Sequence, residues 1–268
     1  MTSLGPIGLA GSNPFTEDAA VVADEARHAE DLGFSTLWRS GNLPMLAAAV
    51  RATTSIPIAT GIIPVVRVPA AEVIATYTEL QREHPDRFLV GLGGAHGPQP
   101  MATLNAYLDE LDVADINADR RVLAALGPNM LALARERAGG AYPYLVTPSY
   151  VTAARSALGP DRMLAVLLMV MPVTDRETAR RAAAEPLRFL TSQGGYRRNL
   201  IRQGFTATDI DTVSDRLLDG IAAWGSPEVI AGRIAEYRDA GADQVVLRIL
   251  GVDDIAMWRT RLSHTLLS

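Results

Sequence analysis

Short runs rich in Val, Ile and Leu alternate along this chain with longer amphipathic stretches, and that alternation limits the fold more than any other feature. It is the pattern of βα units wound around a parallel sheet rather than of an all-helical bundle. Eight runs qualify as strands: 6–9, 36–39, 58–62, 88–91, 122–125, 142–146, 164–170 and 244–250. Eight such strands with helices between them predict an α/β fold, a closed (β/α)8 TIM barrel. A chain of 268 residues suits one barrel of this kind. With no repeat, linker or low-complexity tract, 1–268 reads as a single domain.

The intervening stretches carry helix-boundary chemistry. Thr16 followed by Glu17 and Asp18 predicts a helix start, the acidic pair favouring the positive helix end, and Gly33 predicts its close. Pro69, Pro148 and Pro227 sit where a first helical residue tolerates a missing N–H, with Ser226 as the N-cap before the last of them. Segment 174–240 contains no predicted strand and several helices, among them 177–190, 215–223 and 228–240.

Composition narrows the chemistry. All 25 basic residues are arginine, and there is no cysteine. The missing lysines exclude Schiff-base and pyridoxal chemistry and Walker-type phosphate loops; the missing cysteines exclude thiol nucleophiles, disulfides and thiolate metal sites. The four histidines, His28, His84, His96 and His264, have neither H-x-x-x-H nor H-E-x-x-H spacing, so no metal site is expected. A formal net charge of -5, with arginines dispersed among carboxylates, argues against a nucleic-acid partner. The first residues lack the basic start and apolar run of a signal peptide. The longest apolar stretch, 163–173, is broken by Pro172 and too short to span a bilayer. A cytoplasmic protein without a membrane partner is the expectation.

Barrels of this kind place their active sites at the C-terminal ends of the strands, so the residues just past each run are the candidates. Arg39 and Ser40 end the second run, Thr60, Gly61 and Ile62 the third, and Arg248 lies near the end of the eighth. The glycine-rich stretch 91–97 after the fourth is not a dinucleotide fingerprint, because His96 stands where the third glycine should be. Its small residues either admit a flat ligand close to the backbone or simply make a tight turn. Leu126, Gly127, Pro128 and Asn129 open a helix whose free N–H groups would suit a phosphate, or form an ordinary strand-to-helix turn. Without lysine, anions fall to backbone N–H groups, hydroxyls and arginine. Arg39 and Arg248 are therefore candidates to hold substrate or another anion, or else are ion-paired on the rim. His96, the one histidine at a strand end, is the candidate catalytic proton carrier near neutral pH. No G-x-S-x-G elbow occurs, and Asp109, Glu110 and Asp112 fall on a predicted helix, so neither a serine nucleophile nor a carboxylate pair is indicated.

Several segments together resemble the bacterial luciferase-like superfamily, and within it the branch that uses the deazaflavin coenzyme F420. They are GFSTLW at 33–38, IATGI at 58–62, HPDRFLVGLG at 84–93, AGGAYPYLVTP at 138–148, WGSPE at 224–228 and AGAD at 240–243. The resemblance covers nearly the whole length. It implies an eight-stranded barrel, commonly dimeric, with the cofactor ring at the C-terminal mouth. By position, Thr60, Gly61 and Ile62 would lie against the ring, with a non-prolyl cis peptide at Gly61–Ile62. Ser40, His96 and Gln99 would contact ring or tail, and Leu126, Gly127 and Pro128, with Asn129 beside them, would cradle the phosphate. Two departures stand out: Arg39 and Ser40 occupy a place where many relatives have an acidic residue or histidine, and His96 replaces a carboxylate found in several deazaflavin enzymes.

The resemblance thus implies an F420-dependent oxidoreductase that moves hydride between cofactor and a small organic substrate, with a homodimer as the expected assembly. A flavin mononucleotide (FMN)-dependent monooxygenase on the same fold, and a non-catalytic cofactor-binding barrel, are the alternatives.

Overall fold

A computed structural model of the chain describes residues 4–95 and 98–267. Ten strands occur among them: β1 (Ile7–Ala10), β2 (Leu37–Arg39), β3 (Ile58–Thr60), β4 (Ile63–Pro64), β5 (Phe88–Gly93), β6 (Arg121–Leu123), β7 (Gly140–Ala141), β8 (Met163–Met171), β9 (Ala222–Trp224) and β10 (Gln244–Ile249). Eight of these close a ring in the order β1-β2-β3-β5-β6-β7-β8-β10, every pair parallel. β10 closes it, pairing Ile7 with Val245 on one side and Gln244–Ile249 with 165–170 of β8 on the other. The predicted α/β barrel is the observed fold.

Each predicted strand maps onto one ring strand, with two corrections. The sixth, predicted at 142–146, is displaced to Gly140–Ala141; beyond it only a single bridge, Tyr144 to Leu167, continues the pairing with β8. The aromatic run that suggested a strand instead turns its side chains into the barrel and its mouth. β9 was not predicted: Ala222–Trp224 continues straight from the helix Asp215–Ile221 and pairs with Met169–Met171 beyond the end of β7, so its apolar residues read as the tail of that helix. β4 likewise is a short step beside β5. The helix predicted to start at Thr16 starts three residues later, because Asp18 rather than Thr16 accepts the N–H groups of Ala20 and Val21. Gly33, at φ +81, closes it as expected.

Period-two alternation sorts the strand residues between two cores. Trp38, Ala59, Leu89, Val122, Ala165 and Val246 point inward and pack with Tyr142 and Met163 inside the barrel. Their neighbours, such as Leu37, Ile58, Val90 and Leu247, point outward to the helical layer. One polar side chain anchors the inner core: Gln244 accepts from Trp38 Nε1 at 2.9 Å and donates to Thr36 Oγ1 at 2.6 Å and Gly5 O at 2.8 Å. A buried amide satisfied on both sides holds a register without an unpaired group. A third apolar cluster forms where the helices Arg176–Ser192, Gly194–Arg202, Ala207–Thr212 and Asp215–Ile221 fold over the ends of β7 and β8. None of the helices is long and apolar enough to cross a membrane, among the described residues.

Close backbone approach fixes one strand junction. Thr60 Oγ1 donates to Gly91 O and accepts from Gly91 N, both at 2.6 Å, and a Cβ on Gly91 would lie 1.9 Å from Thr60 O. No rotamer change relieves a clash with backbone. Gly91→Ala is therefore expected to destabilise the protein by about 3 kcal/mol or more, measured as a lower denaturation midpoint.

Surface charge contributes a second measurable term. Burial raises the Glu30 carboxyl, but N–H groups of Thr54, Ile56 and Ser55 aimed at it outweigh burial and hold it down to about 2, from its usual 4.5. A depressed carboxyl stabilises the fold above its unfolded value and loses that contribution as pH falls towards its folded value. Between about pH 4.5 and about 2, stability should fall more steeply in the natural protein than in Glu30→Gln, as read by denaturant titration across that range.

Candidate active site

At the C-terminal mouth, residues of β1, β2, β3, β8 and β10 and of the segment after β7 surround a small recess, with Gly11, Trp38, Arg39, Gly61, Tyr142 and Arg248 among its walls. Its floor is aromatic. Trp38 and Tyr142 stack with centroids 4.0 Å apart and planes 4° from parallel, so the packed interior ends in a flat surface. Gly61 lies over that surface: a Cβ there would stand 3.2 Å from Tyr142 Cε1 and 3.3 Å from its hydroxyl. The Gly61–Ile62 peptide is cis, as the resemblance implied.

The two arginines of the recess have different surroundings. Arg39 is almost wholly buried and ion-paired with Glu25, which also pairs with Arg259 and accepts from Ser12 N at 2.8 Å and Ser12 Oγ at 2.7 Å. Burial pulls both guanidinium groups down to about 10, and for Arg39 the neighbouring Arg259 adds to the effect. Both stay protonated at neutral pH, so one carboxylate stands against two cations. The side chain of Arg248, half-buried, makes no hydrogen bond or ion pair with any described residue. Of the two readings open for these arginines, the ion-paired one describes Arg39 and not Arg248.

Tyr142 lines the recess with Arg248, and Tyr144 follows two residues along the same segment. Burial pushes the Tyr142 phenol well up from its ordinary value, with Arg248 opposing, and the same two influences act on Tyr144. Both therefore remain protonated donors throughout the neutral range. The Tyr144 hydroxyl is buried and has no hydrogen-bond partner among the described residues, although its ring is packed edge-on against Tyr196.

The remaining sequence candidates divide. Ser40 lines the recess and donates to Pro14 O at 2.6 Å. The Thr60 hydroxyl is taken up by Gly91, so its side chain serves the barrel wall. Ile62 is half-buried, its tip against Gly93. Gln99 is exposed at the start of the helix Pro100–Val113. His96 lies outside the described residues. Gly127 is the N-cap of the helix Pro128–Arg137 and has no side-chain cap, leaving the first N–H groups near Leu126 and Asn129 without one.

The cradle has a neighbour that sequence reasoning missed. A Cβ on Gly127 would meet only the Arg202 guanidinium, at 3.7 and 3.9 Å. Arg202 comes from the helix Gly194–Arg202, oriented by a 3.0 Å hydrogen bond to the buried Asn199 Oδ1. Arg198, one turn earlier, and Arg202 line an open groove, and neither pairs with a carboxylate among the described residues. Only the fold brings Arg202 to Gly127. The tyrosine pair was equally hidden, inside a segment read as strand; its Y-x-Y spacing, which puts both rings on one face, was the available signal.

The fold and the mouth define a (β/α)8 barrel with its candidate site where such barrels carry theirs. Residues 3–121 match the family model of the luciferase-like monooxygenase, and the barrel as a whole shares its fold with solved structures. Three solved structures illustrate the likeness. An F420-dependent secondary alcohol dehydrogenase, in complex with an F420–acetone adduct, is 16% identical with a TM-score of 0.74, over 97% of this chain and 98% of that one. The oxygenating constituent of 3,6-diketocamphane monooxygenase from Pseudomonas putida, in complex with FMN, is 15% identical with a TM-score of 0.72, over 97% and 96%. The coenzyme F420-dependent tetrahydromethanopterin reductase from Methanopyrus kandleri is 16% identical with a TM-score of 0.70, over 99% and 98%. Comparison with the curated proteins found no match.

Removing the carboxylate between Arg39 and Arg259 leaves two buried cations facing each other. Glu25→Gln is expected to cost about 3–5 kcal/mol, seen as a lower melting temperature, with the recess wall at Arg39 loosened.

Proposed function

We propose that this protein is a deazaflavin-dependent oxidoreductase that transfers hydride between coenzyme F420 and a small organic substrate. The observation that carries the reading is the pairing of an uncapped helix start at Gly127 with Arg202, continued along the groove by Arg198. The residues fit the group. Backbone N–H groups at Gly127 and the Arg202 guanidinium suit a phosphate, and Gly61 above the Trp38–Tyr142 floor suits a flat ring. F420 continues beyond its phosphate into a carboxylate-bearing tail, whereas FMN ends there, and a second unpaired arginine beside the first favours the longer anion. The likeness to an F420-dependent alcohol dehydrogenase supports the same choice. FMN is the second reading, supported by the comparable likeness to the FMN-bound monooxygenase component.

When bound, the cofactor ring supplies the hydride chemistry. The chain's own residues supply position. Gly61, where a Cβ would crowd Tyr142 at 3.2 Å, and the stacked Trp38–Tyr142 floor would be the surfaces that hold the ring. Ser40, held by Pro14 O, and Ile62 shape the edges of the mouth, while Gln99 stands at the helix start beyond it. His96, the one histidine just past a predicted strand in the sequence, is the proposed carrier of the substrate proton. A single domain over 1–268, assembled as a cytoplasmic homodimer, completes the reading.

Fluorescence titration with F420 and with FMN tests the cofactor: tight F420 binding without FMN binding is expected, and the reverse selects the second reading. Arg202→Met should weaken F420 by roughly tenfold or more, the range for a charge-assisted contact. Substrate-dependent oxidation of reduced F420 should fall by about a hundredfold or more in His96→Ala at unchanged F420 affinity.

A further inference from the structure

The walls of the recess contain two arginines and no acidic side chain among the described residues. Arg39 shares Glu25 with Arg259, and the Arg248 side chain has no counter-charge among the described residues. An uncompensated cation in a half-buried recess is costly unless a ligand brings the opposite charge. Tyr142 and Tyr144, on one face of the same extended segment, both feel the charge of Arg248. The Tyr144 hydroxyl is the second sign. Its residue is only 7% exposed, and its oxygen has no partner among the described residues. A buried hydroxyl left without a bond is destabilising, and phenylalanine would pack there without that cost.

We infer that the substrate of this enzyme is a small organic carboxylate, whose anionic group is held at the mouth by Arg248 with the Tyr142 and Tyr144 hydroxyls as donors. The guanidinium fork matches a carboxylate in two parallel hydrogen bonds, and phenols that stay protonated can only add donors. A neutral isostere that lacks the charge leaves Arg248 unpaired and is rejected for that reason. This inference rests on the reading of the recess as the place where ring and substrate meet, and it assigns Arg248 to the substrate rather than to the ring.

The test uses benzoate and its neutral isostere benzamide as probes, titrated into the protein with and without F420. Intrinsic tryptophan fluorescence, to which Trp38 beneath the recess contributes, reports binding. Benzoate should bind about tenfold or more tighter than benzamide, and Arg248→Met should abolish that preference while leaving F420 affinity unchanged. Tyr144→Phe, which removes only an unpartnered oxygen, should keep or raise the melting temperature and weaken benzoate roughly threefold or more. Equal binding of the two probes, or no binding of either, overturns the inference. So does an Arg248→Met variant that loses F420 affinity but keeps its preference for benzoate, since the arginine then serves the ring. A benzoate preference that depends on Arg248 in a protein that binds no F420 supports the anion site and contradicts the cofactor reading, so the two failures are distinct.

Discussion

The stack of Trp38 on Tyr142 sets the depth at which this barrel stops being a packed core and becomes a site. Below it, Gln244 ties the indole to Thr36 and Gly5, and inward residues fill the ring. Above it, small residues take over: Gly11 and Gly61 leave the aromatic surface open, and their substitution would push a side chain into Arg39 or Tyr142. Dense packing of the interior is what makes the floor rigid. The recess is thus the upper boundary of the same core that stabilises the fold.

Charge is distributed around that floor with arginine alone. The fork geometry that lets arginine replace lysine at an anion also lets it serve as a structural tie, and the molecule uses it in both ways. Arg87 is buried and donates to Ile56 O and to Thr53 Oγ1, and Arg155 reaches Gly241 O, Gly159 O and Arg162 O. Arg39 belongs with these ties through Glu25. Arg248, Arg198 and Arg202 have no carboxylate partner among the described residues, and they lie at the mouth and in the groove beside the helix start at Gly127.

Much of this was legible in the sequence. The eight ring strands followed from apolar runs, because a strand buried on both faces must be apolar throughout. Helix starts at Pro148 and Pro227 followed from proline geometry. The unpredicted β9 was not legible, because three apolar residues abutting a helix have no period of their own. Nor were Arg202 beside Gly127 or the orphaned hydroxyl of Tyr144, since both depend on helices that fold back from segment 174–221 onto the mouth. Thr60 shows the opposite limit: its position at a strand end suggested a ligand contact, and the fold uses its hydroxyl to bind Gly91.

The account turns on one arrangement, a ring on the aromatic floor with its phosphate at Gly127. A crystal structure of the protein with bound F420 measures it directly. Density for the ring against Gly61, the phosphate at the Gly127 N–H groups and Arg202, and the tail passing Arg198 is the result this account predicts. A ring seated elsewhere, or a phosphate away from Gly127 and Arg202, would contradict it.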